Sequence, residues 1–162
     1  MLNKLIILLF FSISFILNVQ AKTPFDTVDR AIDYRQSSFQ VLAGNFKDIM
    51  ERVKGEKAWD ADIVKVRAEH LNMMAKVTFT SFLKDSAFIT QSDAKSDDDS
   101  NSLAIIWTEK DKFEVLFKDF QSSTEALLHA AEKEEKKEIA KALKEVGSFC
   151  KKCHQRYKKS DD

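Results

Sequence analysis

The sequence predicts an all-α protein, an antiparallel four-helix bundle, and three observations lead there. Three Gly and one Pro in 162 residues leave too few turn residues for a sheet protein. Apolar side chains recur at intervals of three and four in four separate stretches, which is the spacing of helices with one buried face. Isolated helices of this length are marginal in water, and four of them within residues 22–162 make a bundle the natural packing.

The chain begins MLNKLIILLFFSISFILNVQA, with Lys4 ahead of an apolar run and small residues, Val19 and Ala21, at −3 and −1 of a cut before Lys22. That layout is a secretory signal peptide over residues 1–21. The run from Leu5 to Val19 is short against the roughly 20 apolar residues of a membrane span, so an uncleaved anchor is the weaker reading. The expected domain is 22–162, exported to the periplasm after cleavage behind Ala21.

The first helix follows Pro24 and carries Phe25, Val28, Ile32, Phe39, Leu42, Phe46, Ile49 and Val53 on one face. Arg35 occupies the one gap in that face, and a buried charge is costly unless paired. Lys54-Gly55 is a stop signal. Asp60 can cap a second helix whose apolar positions are read as Ile63, Val66, His70, Met73 and Val77. From about Lys84 to Thr108 no period holds, and this long connection is rich in Ser, Asp and Lys; such connections often carry function. A third helix has Phe113, Leu116, Phe120, Leu127 and Ala131 on one side. A fourth, from about Lys133 to Lys158, has Ile139, Leu143, Val146, Cys150, Cys153 and Tyr157. Thirteen Phe supply a bulky core.

Without the leader, which contributes only Lys4, 25 basic side chains face 26 acidic ones. That balance argues against nucleic acid as a partner, which would call for a basic surface. The two cysteines, Cys150 and Cys153, are too close together to staple distant parts of an exported chain. They belong to Cys150-Lys151-Lys152-Cys153-His154, the attachment signature of c-type haem. Two thiols at this spacing can each add to one vinyl group of a porphyrin, and the adjacent His154 then supplies an axial nitrogen to the iron. Zinc would need a fourth ligand or an open water position, and a thioredoxin-like redox pair would need a βαβ setting. The cofactor expected is one covalent haem c, beside the C-terminal helix.

With these residues in view, the chain resembles the cytochrome c′ family over essentially its whole mature length. The resemblance is carried by Tyr34-Arg35-Gln36, Val53-Lys54-Gly55, Ile105-Ile106-Trp107, and the run from Val146 to His154. It implies that Arg35 and Gln36 contact haem propionates, which would give the charge in the first apolar face its partner. It implies that Phe39, one turn later, caps the open side of the iron where six-coordinate relatives place a Met. The loop before Trp107 lacks the family's frequent Pro-Glu pair and holds Asp97-Asp98-Asp99 instead; Asn101 is the candidate for that loop's haem contact. Lys158, one turn after His154, is a candidate for the proximal face. His70, Met50, Met73 and Met74 are secondary candidates for a sixth ligand, and His129 is read as exposed.

The function this implies is binding of nitric oxide or carbon monoxide at five-coordinate iron, with or without electron transfer to a redox partner protein. The alternative is a six-coordinate, low-spin electron carrier with a Met or His sixth ligand. No nucleophile or acid–base constellation suggests an enzyme. The resemblance also implies a homodimer built through the first two helices.

Overall fold

The computed structural model describes residues 28–82 and 100–159. The expected signal peptide, Phe25 and Asp97-Asp98-Asp99 lie outside them. The described residues form α1 (Val28–Lys54), α2 (Ala61–Thr80), a single turn α3 (Ile105–Thr108), α4 (Lys110–Glu132) and α5 (Lys136–Tyr157). They contain no strand, only an isolated antiparallel bridge between Ser102 and Lys158.

Local signals set the helix ends. In α1, Asp29 lies in the first turn and Arg52 and Lys54 in the last, each favourable to the helix dipole. Gly55 follows with φ +81°, a left-handed conformation that glycine enters without steric cost. Asp60 caps α2, its carboxylate accepting the Ile63 N–H at 3.0 Å. The turn into α5 passes through Glu134 at φ 57°, where no glycine is available.

The long helices form a four-membered ring in which α1 packs on α2, α2 on α4, α4 on α5 and, most thinly, α5 on α1. Gln121 Nε2 donates to the Ala75 carbonyl and Thr124 Oγ1 to Asn72 Oδ1, while Phe79 meets Phe117 and Phe82 meets Phe113. Numbers rise along α2 as they fall along α4, so these two helices are antiparallel. The short connections at 55–60 and 133–135 reverse the chain between α1 and α2 and between α4 and α5. The core runs through Ile49, Leu71, Leu127, Ile139 and Val146.

Two expectations change. The inner face of α2 is Val64, Ala68, Leu71, Ala75 and Thr78, so the face read from Ile63 to Val77 is displaced from the core. Ala68 and Ala75, which a reading by large apolar residues passes over, carry part of that inner face. Val66 and Met73, expected inside, are 43% and 55% exposed. The aperiodic connection also ends in α3, whose Ile106 is buried and whose Trp107 packs with Ala31 and Tyr34 of α1.

Candidate cofactor site

The thin contact between α1 and α5 coincides with a cavity of about 630 Å3 at one end of the bundle. That volume is within the ~300–1,000 Å3 of small-molecule and cofactor sites. Arg35, Gln36, Phe39, Asn101, Cys150, Cys153, His154 and Lys158 all line it. Three separate stretches of sequence therefore converge on one space.

The walls are largely aromatic: Phe46, Phe82, Phe113, Phe117, Phe120 and Phe149 join Phe39 there. Gly147 lets α5 approach this wall, since a Cβ at that position would lie 3.3 Å from Phe46 Cζ. Cys150 and Cys153, three residues apart on α5, are half-buried with free thiols. Burial pushes both thiols up; Cys153, further raised by Cys150 beside it, reaches about 11. His154 follows at the lip and is exposed.

Arg35 is 3% exposed. Its Nη1 donates to Ser102 Oγ at 3.3 Å, and its guanidinium carbon stands 4.5 Å from the Phe82 ring centroid. Gln36 is exposed beside it. Asn101 reaches the cavity because its segment is clipped to the end of α5. The Leu103 N–H donates to the Tyr157 carbonyl at 2.9 Å, and the Lys159 N–H to the Asn101 carbonyl at 2.8 Å.

The secondary candidates for an iron ligand are elsewhere. His70 is exposed on the outer face of α2, as is Met73; Met50 and Met74 are half-buried against the core, and none of the four lines the cavity. The error for His70 and Met73 is the misread phase of α2. His129 is exposed and pairs with Glu132 at 3.2 Å. No sequence signal marks Phe82 or Ser102. Both sit in or beside the aperiodic connection, where no spacing marks an inner face.

The space suits a planar, mainly apolar group with charged edges. Rings flank it, two thiols and an imidazole project from one helix, and a buried cation stands across from them. A four-helix bundle with a Cys-x-x-Cys-His motif at the lip of such a cavity defines a bundle-type c-type cytochrome.

Comparison with known proteins agrees. The family model described as Cytochrome C′ matches residues 30–158. Cytochrome c′ of Alcaligenes xylosoxydans xylosoxydans is 26% identical over 129 residues, 80% of this chain and 93% of the relative. Among solved structures, cytochrome c prime from Shewanella frigidimarina is 34% identical with a TM-score of 0.73, covering 84% of this chain and 99% of that one. A ferrous arginine-to-lysine variant of cytochrome c prime from Alcaligenes xylosoxidans, with bound NO, is 26% identical, also with a TM-score of 0.73, over 85% of this chain and 99% of that one. The chain belongs to the cytochrome c′ family. Its cofactor is covalently attached haem c.

Proposed function

We propose that this chain is a periplasmic gas-binding cytochrome: its haem iron is held by His154, left without a second protein ligand, and open to nitric oxide or carbon monoxide on the side of Phe39. The observation that carries this reading is the lining of the cavity. Among the described residues it includes His154 but no other His and no Met.

The bound haem supplies the iron at which a diatomic gas coordinates. Cys150 and Cys153 hold the group through thioethers. Arg35, with Gln36, takes the propionates, since a buried guanidinium is well matched to a carboxylate. Asn101 and Lys158 line the same space and make contacts at its rim. Phe39 caps the gas side with a ring that donates no hydrogen bond. Such a wall would favour nitric oxide and carbon monoxide over oxygen, whose affinity depends most on a hydrogen-bond donor, because pocket polarity and access decide which ligands bind. The solved relative with bound NO supports carrying this reading to the present chain.

Export rests on the leader-like residues 1–21; no helix among the described residues is long and apolar enough to cross a membrane. The protein binds rather than transforms its ligand, and electron exchange with a redox partner is compatible with that role. A homodimer through α1 and α2 is supported by the exposed apolar side chains Val41, Val66 and Met73.

Optical and EPR spectra of the ferric and ferrous protein, with and without nitric oxide, test the reading. High-spin iron that converts on adding nitric oxide is expected. Low-spin iron indifferent to the gas would point instead to a six-coordinate electron carrier.

A further inference from the structure

Phe82 stands where four parts of the site meet. It follows the end of α2, is 4% exposed, and lines the cavity. Its ring meets Phe39 edge-on, with centroids 6.2 Å apart and planes at 65°. Behind it lie Phe113 at 4.8 Å, Phe117 at 6.2 Å and Trp107 at 6.4 Å. The Arg35 guanidinium covers it at 4.5 Å. Phe39 is only half-buried, and its ring contact with Phe82 is made within the cavity that both residues line.

We propose that Phe82 is the positioning residue for Phe39: through an edge-to-face contact, backed by the α4 rings and clamped by Arg35, it sets how far the Phe39 ring stands into the gas side of the cavity. The inference rests on the reading of Phe39 as the distal cap. Aromatic pairs prefer this T-shaped arrangement and gain beyond their buried area. A close-packed aromatic cluster also resists small displacements. A flexible aliphatic side chain at 82 would fill most of the volume without offering an edge, and Phe39 would gain rotamers that uncover the iron. The link to Arg35 has a second consequence. Whatever holds the guanidinium also holds Phe82, so the two ends of the site are not independent.

The test uses the haem-loaded protein and carbon monoxide as the probe. Association rates are measured by stopped flow for the parent, Phe82→Leu, Phe39→Ala and the double variant. Phe82→Leu is expected to speed association roughly threefold to tenfold, the kinetic equivalent of one lost aromatic pair, and to do almost nothing once Phe39 is Ala. Phe82→Tyr, which keeps the ring edge, is expected to restore the parent rate. Nuclear magnetic resonance of the ferrous carbon monoxide complex gives a readout apart from rate: Phe82→Leu should move the Phe39 ring resonances and Phe82→Tyr should leave them near their parent positions. An equal acceleration by Phe82→Leu with Phe39 or Ala at 39 overturns the inference, as do unmoved Phe39 resonances. If Phe39→Ala speeds binding and Phe82→Leu does not, the inference fails and the distal reading of Phe39 stands. If neither changes the rate, both fail.

Discussion

Arg35 Nη1 donates to Ser102 Oγ across 3.3 Å, joining residues 67 apart in the chain. The contact ties α1 to the segment that carries Asn101, and that segment is itself clipped to the end of α5 by backbone hydrogen bonds. A cation, a loop and the helix bearing Cys150 to His154 are thereby held around one end of the cavity. The position is electrostatically strong because Arg35 is removed from water, where charge interactions are less screened.

Arg35→Leu is expected to lower the haem reduction potential by on the order of tens of millivolts. A buried positive charge disfavours the ferric state, so losing it favours that state. Ser102→Ala, which leaves the charge in place, should move the potential much less. Redox titration of the three proteins decides the matter; equal potentials for parent and Arg35→Leu would mean that the guanidinium is not near the haem.

Phe39→Met is expected to convert high-spin iron to a six-coordinate, low-spin form. The thioether is a haem ligand in its own right and the side chain is flexible enough to seek the iron. The ferric EPR spectrum is the measurement. Retention of the parent high-spin signal would show that position 39 does not face the metal.

Much of this site is legible in the sequence. The three-and-four spacing of α1 was strong enough that Arg35 registered as an interruption, and it is indeed buried. The haem motif is a local pattern and needs no fold to be read. The phase of α2 is not legible, because apolar residues occupy two of its faces, with Val66 and Met73 outside and Ala68 and Ala75 inside. A better signal is present: the inner face, Val64-Ala68-Leu71-Ala75-Thr78, holds no ionisable residue, whereas the face spaced from Ile63 to Val77 contains His70. Phe82 is illegible for a different reason. Its role comes from ring contacts with α1, α3 and α4, and no sequence spacing encodes those.

The outward face of α2 offers the next test. Val66→Glu combined with Met73→Glu is expected to leave the haem spectrum unchanged and to turn a dimer into a monomer, read by light scattering after size exclusion. Each side chain is well exposed in the single chain, so the acids cost it little, but paired copies would bring like charges together in a contact emptied of water. A parent protein that is already monomeric would sink the dimer reading.

At the other end of the bundle, Asp48 accepts from Lys57 Nζ at 2.8 Å and from Arg67 Nε at 2.9 Å, tying α1 to the following loop and to α2. The hydrogen bond from Lys57, with that from Arg67, holds the Asp48 carboxyl below its usual range against the opposing effect of burial. A folded-state value below the unfolded one means that the stabilisation is present above the unfolded pKa, about 3.9, and is lost as pH falls through the folded value. Asp48→Asn should therefore lower the melting temperature at pH 7 and at pH 5. The gap to the parent should narrow toward pH 3. A gap independent of pH would assign the effect to packing rather than charge.

Among the described residues, the turn between α4 and α5 holds a non-glycine residue in the left-handed region. Glu134 has φ 57°, and its N–H donates to the Ala131 carbonyl at 3.1 Å, so it closes α4 in the left-handed position that glycine fills at little cost. Glu134→Gly is expected to stabilise the fold by about 0.5–1 kcal/mol, or roughly 2–4 °C in melting temperature for a domain of this size. Gly55 at φ +81° makes the reciprocal case, and Gly55→Ala should destabilise by a similar amount. A gain at 134 together with a loss at 55, measured by thermal unfolding of the haem-loaded protein, would assign both effects to backbone conformation. The reverse pair, a gain from Ala at 55 and a loss from Gly at 134, would instead assign both effects to the backbone entropy of the unfolded chain, which Gly raises.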